Sequence, residues 1–124
     1  MTSLVYVFLG GGLGSICRYG LANWFNKADK LMPYGTLMAN LLSCIVLGVL
    51  LALSLKNNLD QKTKLLLVTG FCGGFSTFST FSGEIFDMLN NGQLITALSY
   101  IIISLMICTA CLMGAYLLTQ QYLN

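Results

Sequence analysis

Polar residues gather in three short clusters along the chain, and between them the sequence is almost continuously apolar. The clusters are Asn26-Lys27-Ala28-Asp29-Lys30, Lys56-Asn57-Asn58-Leu59-Asp60-Gln61-Lys62 and Asn90-Asn91-Gly92-Gln93. No Asp, Glu, Lys or Arg occurs in residues 31–55 or 88–124. Each run exceeds the roughly 20 apolar residues that a helix needs to cross the hydrocarbon core. The pattern predicts an all-α membrane protein with four transmembrane helices, over residues 3–25, 33–55, 64–89 and 94–118. Pro33 is expected in the first turn of the second helix, where its missing N–H costs nothing. The whole chain, 1–124, reads as a single four-helix domain without an internal repeat, so any symmetry must come from a second chain.

Composition agrees. Of 124 residues, 56% are apolar and 8% charged, against about 25% charged in a soluble domain. The mean hydropathy is +0.80. The partner expected from this balance is the lipid bilayer of the cell (plasma or inner) membrane, with no nucleic acid. The first apolar run opens at Leu4 with no basic residue before it, so it is read as mature structure rather than a cleaved signal. All five cysteines (Cys17, Cys44, Cys72, Cys108 and Cys111) lie in apolar segments, and no histidine accompanies them. They read as small packing residues, not as disulfides or a zinc site. An enzyme is disfavoured, because the only acidic pair near a span is Glu84 with Asp87.

Four spans place both termini and the middle loop on one side of the membrane. That side carries Lys56, Lys62 and Lys64; the other carries Lys27 and Lys30, with Arg18 nearby. This even split removes the positive-inside bias that short loops normally impose. One explanation is insertion in both directions with antiparallel pairing, which is the expectation here; the alternative is a fixed orientation set by something other than loop charge.

Several polar residues inside the spans require a reason. Gly10 and Gly14, and likewise Gly11 and Ser15, stand four apart, a spacing that lets two helix backbones approach closely in lipid. Arg18 follows one turn later, where a charge must face water, a partner or the interface. Thr36 and Asn40 share a face of the second span, and an amide in hydrocarbon needs partners across a helix interface or along a polar path. The third span, from Thr69 to Glu84, combines three glycines with alternating hydroxyls and phenylalanines, which makes a poor continuous helix. A break is expected near Gly73-Gly74, and irregular backbone at membrane depth is tolerated only inside protein or along a wet cavity. Phe78 and Phe81 are three apart and share a face if helix resumes; their ring edges carry partial positive charge. In the fourth span Tyr100, Ser104 and Cys108 form one stripe, which serves either as a polar track or as contacts to neighbouring helices.

The run Gly70-Phe71-Cys72-Gly73-Gly74-Phe75-Ser76-Thr77-Phe78-Ser79-Thr80-Phe81 resembles the signature of the Fluc (CrcB-type) fluoride channels. Gly11-Gly12-Leu13-Gly14-Ser15-Ile16-Cys17-Arg18-Tyr19 and Gly35-Thr36-Leu37-Met38-Ala39-Asn40 resemble that family's other two motifs, in the same order. The resemblance implies an antiparallel, dual-topology homodimer that lets fluoride leave the cell passively through two pores. By the same resemblance Asn40, Phe78, Phe81, Thr36, Thr80, Tyr100 and Ser104 belong to the fluoride pathway, and Arg18 to a vestibule. The backbone carbonyls of Gly73 and Ser76 match positions that hold a structural Na⁺ at the dimer centre. Ser76 stands where threonine is usual, and Ser43 and Ile45 depart from the glycine and phenylalanine often found after the asparagine.

Two other classes compete on residues alone. A small dual-topology multidrug exporter would exchange protons on a membrane carboxylate; Glu84 is the one candidate, and the first span has none. A non-conducting assembly subunit would use the same polar residues only to join helices.

Overall fold

A computed structural model describes residues 2–25 and 32–124. The first polar cluster, with Lys27 and Lys30, lies outside the described residues. Within them all regular structure is helical, and four helices are long and apolar enough to cross a membrane. The first, α1, is Thr2–Phe25, and α2 is Tyr34–Leu55. The third span divides into α3, residues 61–75, and α4, Phe78–Asn90; α5 is Leu94–Leu123.

Helix ends follow local chemistry. Pro33 sits one residue before α2 rather than within its first turn, and its carbonyl accepts the Leu37 N–H at 3.2 Å. After α2, Asn57 takes the left-handed conformation (φ 55°). The N–H groups of Asn57 and Asn58 then close onto Ser54 and Leu53 carbonyls, both at 3.1 Å. Gly92 (φ 73°) ends α4 in the same way, with Gly92 N–H on Leu89 and Gln93 N–H on Met88. These paired closures satisfy carbonyls that a helix end leaves orphaned. In the middle loop the Thr63 hydroxyl donates to Asp60, holding that exposed carboxyl below the usual carboxylate range.

α5 runs past its expected end at Leu118 to Leu123. The Thr119 hydroxyl donates to the Ala115 carbonyl at 2.7 Å, and Lys56 Nζ reaches across to the Leu123 carbonyl at 3.0 Å and to Asn124 Oδ1. A cation at a helix C-terminus also complements the helix dipole.

The helices pack chiefly as two pairs, α1 against α3 and α2 against α5. The α1–α3 seam is built on glycine. A Cβ on Gly10 would overlap the Leu66 carbonyl oxygen, and one on Gly14 the Phe71 carbonyl oxygen. Gly70 and Gly74 face back from α3, where a Cβ would meet the Gly10 Cα at 2.9 Å and the Gly11 carbonyl, respectively. Lipid offers no hydrophobic drive for helix association, so close backbone contact supplies it instead. The middle of α3, Lys64–Cys72, is π-helical, a winding that is rare and usually brief.

The break in the third span falls at Ser76-Thr77, not at Gly73-Gly74. Both glycines are helical, and Ser76 (ψ 157°) and Thr77 (φ −149°, ψ 117°) are extended. Glycine's poor helix propensity does not decide the matter here, because Gly74 is needed for the seam. The hydroxyl-bearing pair yields instead, since its side chains and Asn40 replace the lost helical bonds.

Candidate functional site

Extended backbone at Ser76-Thr77 leaves N–H and C=O groups that must be paired inside the bundle. Asn40 of α2 meets both groups of Thr77. Its Oδ1 accepts the Thr77 N–H at 2.7 Å and its Nδ2 donates to the Thr77 carbonyl at 3.3 Å. One Nδ2 hydrogen is left over, since an amide nitrogen carries two. The Thr77 hydroxyl accepts the Thr80 N–H at 3.2 Å and caps α4. On the other side of the break the Cys72 carbonyl accepts from Ser76 N–H (3.0 Å), Ser76 Oγ (2.8 Å) and Ser43 Oγ (3.1 Å).

These redirected bonds have a consequence for two carbonyls. In an unbroken helix the Thr77 N–H would bond to the Gly73 carbonyl, and the Thr80 N–H to the Ser76 carbonyl. Both donors are spent elsewhere, on Asn40 Oδ1 and Thr77 Oγ1. Gly73 and Ser76 thus offer carbonyl oxygens without their regular helical partners, the hard-oxygen chemistry an alkali or alkaline-earth cation takes.

Beside the break lies a cavity of about 240 Å³ lined by Asn40, Ser76, Thr77, Phe78, Phe81 and Ser104, with Cys44, Leu105 and Cys108 completing the wall. Ser104 is 5% exposed, and its hydroxyl has no hydrogen-bond partner. Leaving such a group unpaired costs about 1–3 kcal/mol and calls for an explanation. The Phe78 and Phe81 ring centroids are 6.2 Å apart. Phe81 is buried, whereas Phe78 is 80% exposed on the single chain.

A second polar cluster lies behind Phe81. The half-buried Glu84 accepts from the Thr36 hydroxyl at 2.6 Å and from the Tyr100 hydroxyl at 2.8 Å, one on each carboxylate oxygen. Tyr100 is 1% exposed and its ring stands 5.0 Å from that of Phe81. Phe81 therefore borders both the cavity and the carboxylate cluster. The two short hydrogen bonds fix the Glu84 carboxyl group in place.

The residues singled out from sequence thus separate into groups. Asn40, Ser76, Phe78, Phe81 and Ser104 meet at the cavity. Thr36 and Tyr100 meet at Glu84, away from that wall. Thr80 is exposed on α4 and bonded to Thr77, and Arg18 is half-buried on α1. Cys44 and Thr77 carry no site role in the sequence reading, Ser43 enters it only as a departure after Asn40, and Glu84 only as the carboxylate of the exporter alternative. Thr77 carries the one local signal, a threonine at the start of a helix. Glu84 was visible as an intramembrane acid, but its partners are 48 and 16 residues away in sequence.

Comparison with known proteins matches residues 5–116 to the family described as CrcB-like protein, Camphor Resistance (CrcB). A protein of Leptospira interrogans named fluoride-specific ion channel FluC is 50% identical over 104 residues, covering 82% of either chain. A protein of the same name from Pectobacterium carotovorum is 45% identical over 105 residues, 84% of this chain and 83% of its own. Another, from Azobacteroides pseudotrichonymphae, is 41% identical over 125 aligned positions, 98% of this chain and 99% of its own.

Proposed function

The chain belongs to the CrcB-like protein family, and from that membership we propose that it is a fluoride-selective channel of the cell membrane, working as an antiparallel homodimer with two pores. It lets fluoride move passively out of the cell and catalyses no reaction. Relatives named as fluoride-specific channels, 41–50% identical over most of their length, support the ion's identity. The observation that carries the reading for this chain is the buried, unpartnered hydroxyl of Ser104 at the wall of the cavity that Asn40 and the two phenylalanines share.

Fluoride is small and strongly hydrated, so a selective path must replace its water with donors while excluding wider halides. The Ser104 hydroxyl and the spare Asn40 N–H supply donors, and the Phe78 and Phe81 ring edges present weak positive charge. None of these is a fixed cation, so the ion can leave again. Thr36 and Tyr100 tie the Glu84 carboxyl group behind the Phe81 ring, which keeps it from turning into the cavity. Arg18 contributes positive charge on α1, in the vestibule role that the resemblance implies.

A second copy is supported by the exposure of Phe78 on the single chain and by the even split of basic residues across the membrane. A structural Na⁺ would be held by the carbonyls of Gly73 and Ser76, whose regular helical donors are spent elsewhere. It would supply fixed positive charge near the anion paths and stabilise carbonyls exposed by the break. The exporter reading rests on Glu84 alone, and both oxygens of that carboxylate are already engaged.

Fluoride-loaded liposomes test the proposal: purified protein should release fluoride to an external electrode, and intact dimers that release none would overturn it.

A further inference from the structure

α3 packs mainly on α1 and touches α2 far less. The position of the break against α2 therefore depends on a few polar bonds, and two residues of α2 supply them. Asn40 holds both backbone groups of Thr77 on the C-terminal side of the break. Ser43, three residues on and so on the same face of α2, holds the N-terminal side, where its hydroxyl donates to the Cys72 carbonyl at 3.1 Å. That bond is not needed to satisfy the carbonyl. A carbonyl oxygen has two lone pairs, and the N–H and hydroxyl of Ser76 already donate to this one at 3.0 and 2.8 Å. Nor is it the bond a serine inside a helix makes by default, which runs back to the carbonyl four residues earlier in its own helix. Ser43 is 2% exposed, so the bond is shielded from solvent. The turn of residues 72–76, closed on itself by Ser76, is thus tied to α2 as a unit, and Thr77 is the next residue along the chain.

We propose that Ser43 is a positioning residue: by anchoring the turn 72–76 to α2, it sets Thr77 where Asn40 can bond both its N–H and its carbonyl. With both bonds made the Asn40 carboxamide cannot rotate, and its spare N–H keeps one direction at the cavity wall. Without the anchor the turn can shift against α2 and carry Thr77 away from Asn40. The consequence for fluoride rests on the channel reading above; the anchoring itself does not.

The test is amide hydrogen exchange, followed by NMR on the isotopically labelled full-length chain in detergent. Ser43→Ala removes one oxygen and leaves the Cys72 carbonyl its two Ser76 donors, so the chain should fold. Thr77 should then exchange about tenfold faster, while Gly70 and Phe71 on the α1 seam exchange as before. Ser43→Thr, which keeps the hydroxyl, should restore the slow rate. In an Asn40→Ala background Thr77 is already released, so adding Ser43→Ala should change its rate by less than about twofold; this measurement decides the matter if Ser43→Thr does not fold. Unchanged exchange at Thr77, an equal rise at Gly70 and Phe71, or full additivity with Asn40→Ala would overturn the proposal. So would a folded Ser43→Thr protein that exchanges like Ser43→Ala. In vesicles where the protein releases fluoride, Ser43→Ala should slow release about tenfold and Ser43→Thr should restore it; release unaffected by Ser43→Ala would overturn the role in orienting Asn40. A protein that releases no fluoride contradicts the channel reading, and the exchange rates then decide the anchoring alone.

Discussion

The α1–α3 seam and the cavity beside Asn40 are both built from small and polar residues inside a membrane, yet they use them in opposite ways. Along the seam, Gly10, Gly14, Gly70 and Gly74 bring backbone against backbone, and nothing is left over. Around the cavity, Asn40 spends two of its hydrogen-bonding groups on Thr77 and keeps one N–H, while Ser104 keeps its hydroxyl. The first region is finished by folding. The second holds donors that folding does not use, and those are the groups available to an ion.

That contrast should appear most strongly when the seam is filled. Gly14→Val places a side chain into the Phe71 carbonyl and the Phe75 N–H. Overpacking of this kind costs about 3 kcal/mol, and the variant should fail to give a monodisperse peak on size exclusion in detergent. A well-behaved Gly14→Val protein would show that the seam has slack and that the comparison is too sharp.

Asn40→Asp lies between the two regions. It replaces the donor facing the Thr77 carbonyl with an acceptor and adds negative charge at the cavity wall. A lost hydrogen bond and the group it leaves unpaired together cost about 3 kcal/mol of stability. Separately, the added charge and lost donor at the cavity wall should slow fluoride efflux by roughly a hundredfold, the equivalent of about 2.8 kcal/mol in the barrier. The chain should still fold, as a monodisperse size-exclusion peak can check, because the α1–α3 seam is untouched.

Variants confined to the cavity should act more selectively. Phe78→Ile removes the ring edge without adding a charge, and Ser104→Ala removes the unpaired hydroxyl. Each should slow fluoride efflux by about tenfold, the equivalent of 1.4 kcal/mol. Ser104→Ala should at the same time leave thermal stability unchanged or raise it, since a buried unsatisfied group is removed. A destabilised Ser104→Ala protein would mean that the hydroxyl has a structural partner and is not spare.

The smallest effect is expected far from either region. Lys56→Gln removes the charge that caps α5 at Leu123, worth about 0.5 kcal/mol. It should lower the melting temperature slightly in detergent and leave efflux rates as they were.

Much of the fold was legible in the sequence because lipid imposes one strong rule: polar and charged residues cluster where the chain leaves the membrane. The polar clusters at residues 56–62 and 90–93 therefore marked helix ends to within a few residues. The break was located by a weaker rule. Glycine's low helix propensity pointed to Gly73-Gly74, whereas the chain opens at Ser76-Thr77, where Asn40 can reach across from α2. That reach depends on how α2 lies beside α3, which no local pattern encodes. Likewise the stripe of Tyr100, Ser104 and Cys108 was visible, but not that Tyr100 turns to Glu84 while Ser104 and Cys108 face the cavity. Cys44 reads as packing because a cysteine in an apolar helix usually packs, and only the fold sets it at the cavity wall.

The central claim is that the unused donors of the cavity serve fluoride, and a paired efflux measurement tests it most directly. Liposomes holding equal concentrations of fluoride and chloride, with purified protein in the membrane, are followed by electrodes selective for each ion. The account predicts fluoride release with chloride retained, and fluoride release reduced about tenfold by Ser104→Ala. Equal release of both ions, or release of neither by intact dimers, would contradict it.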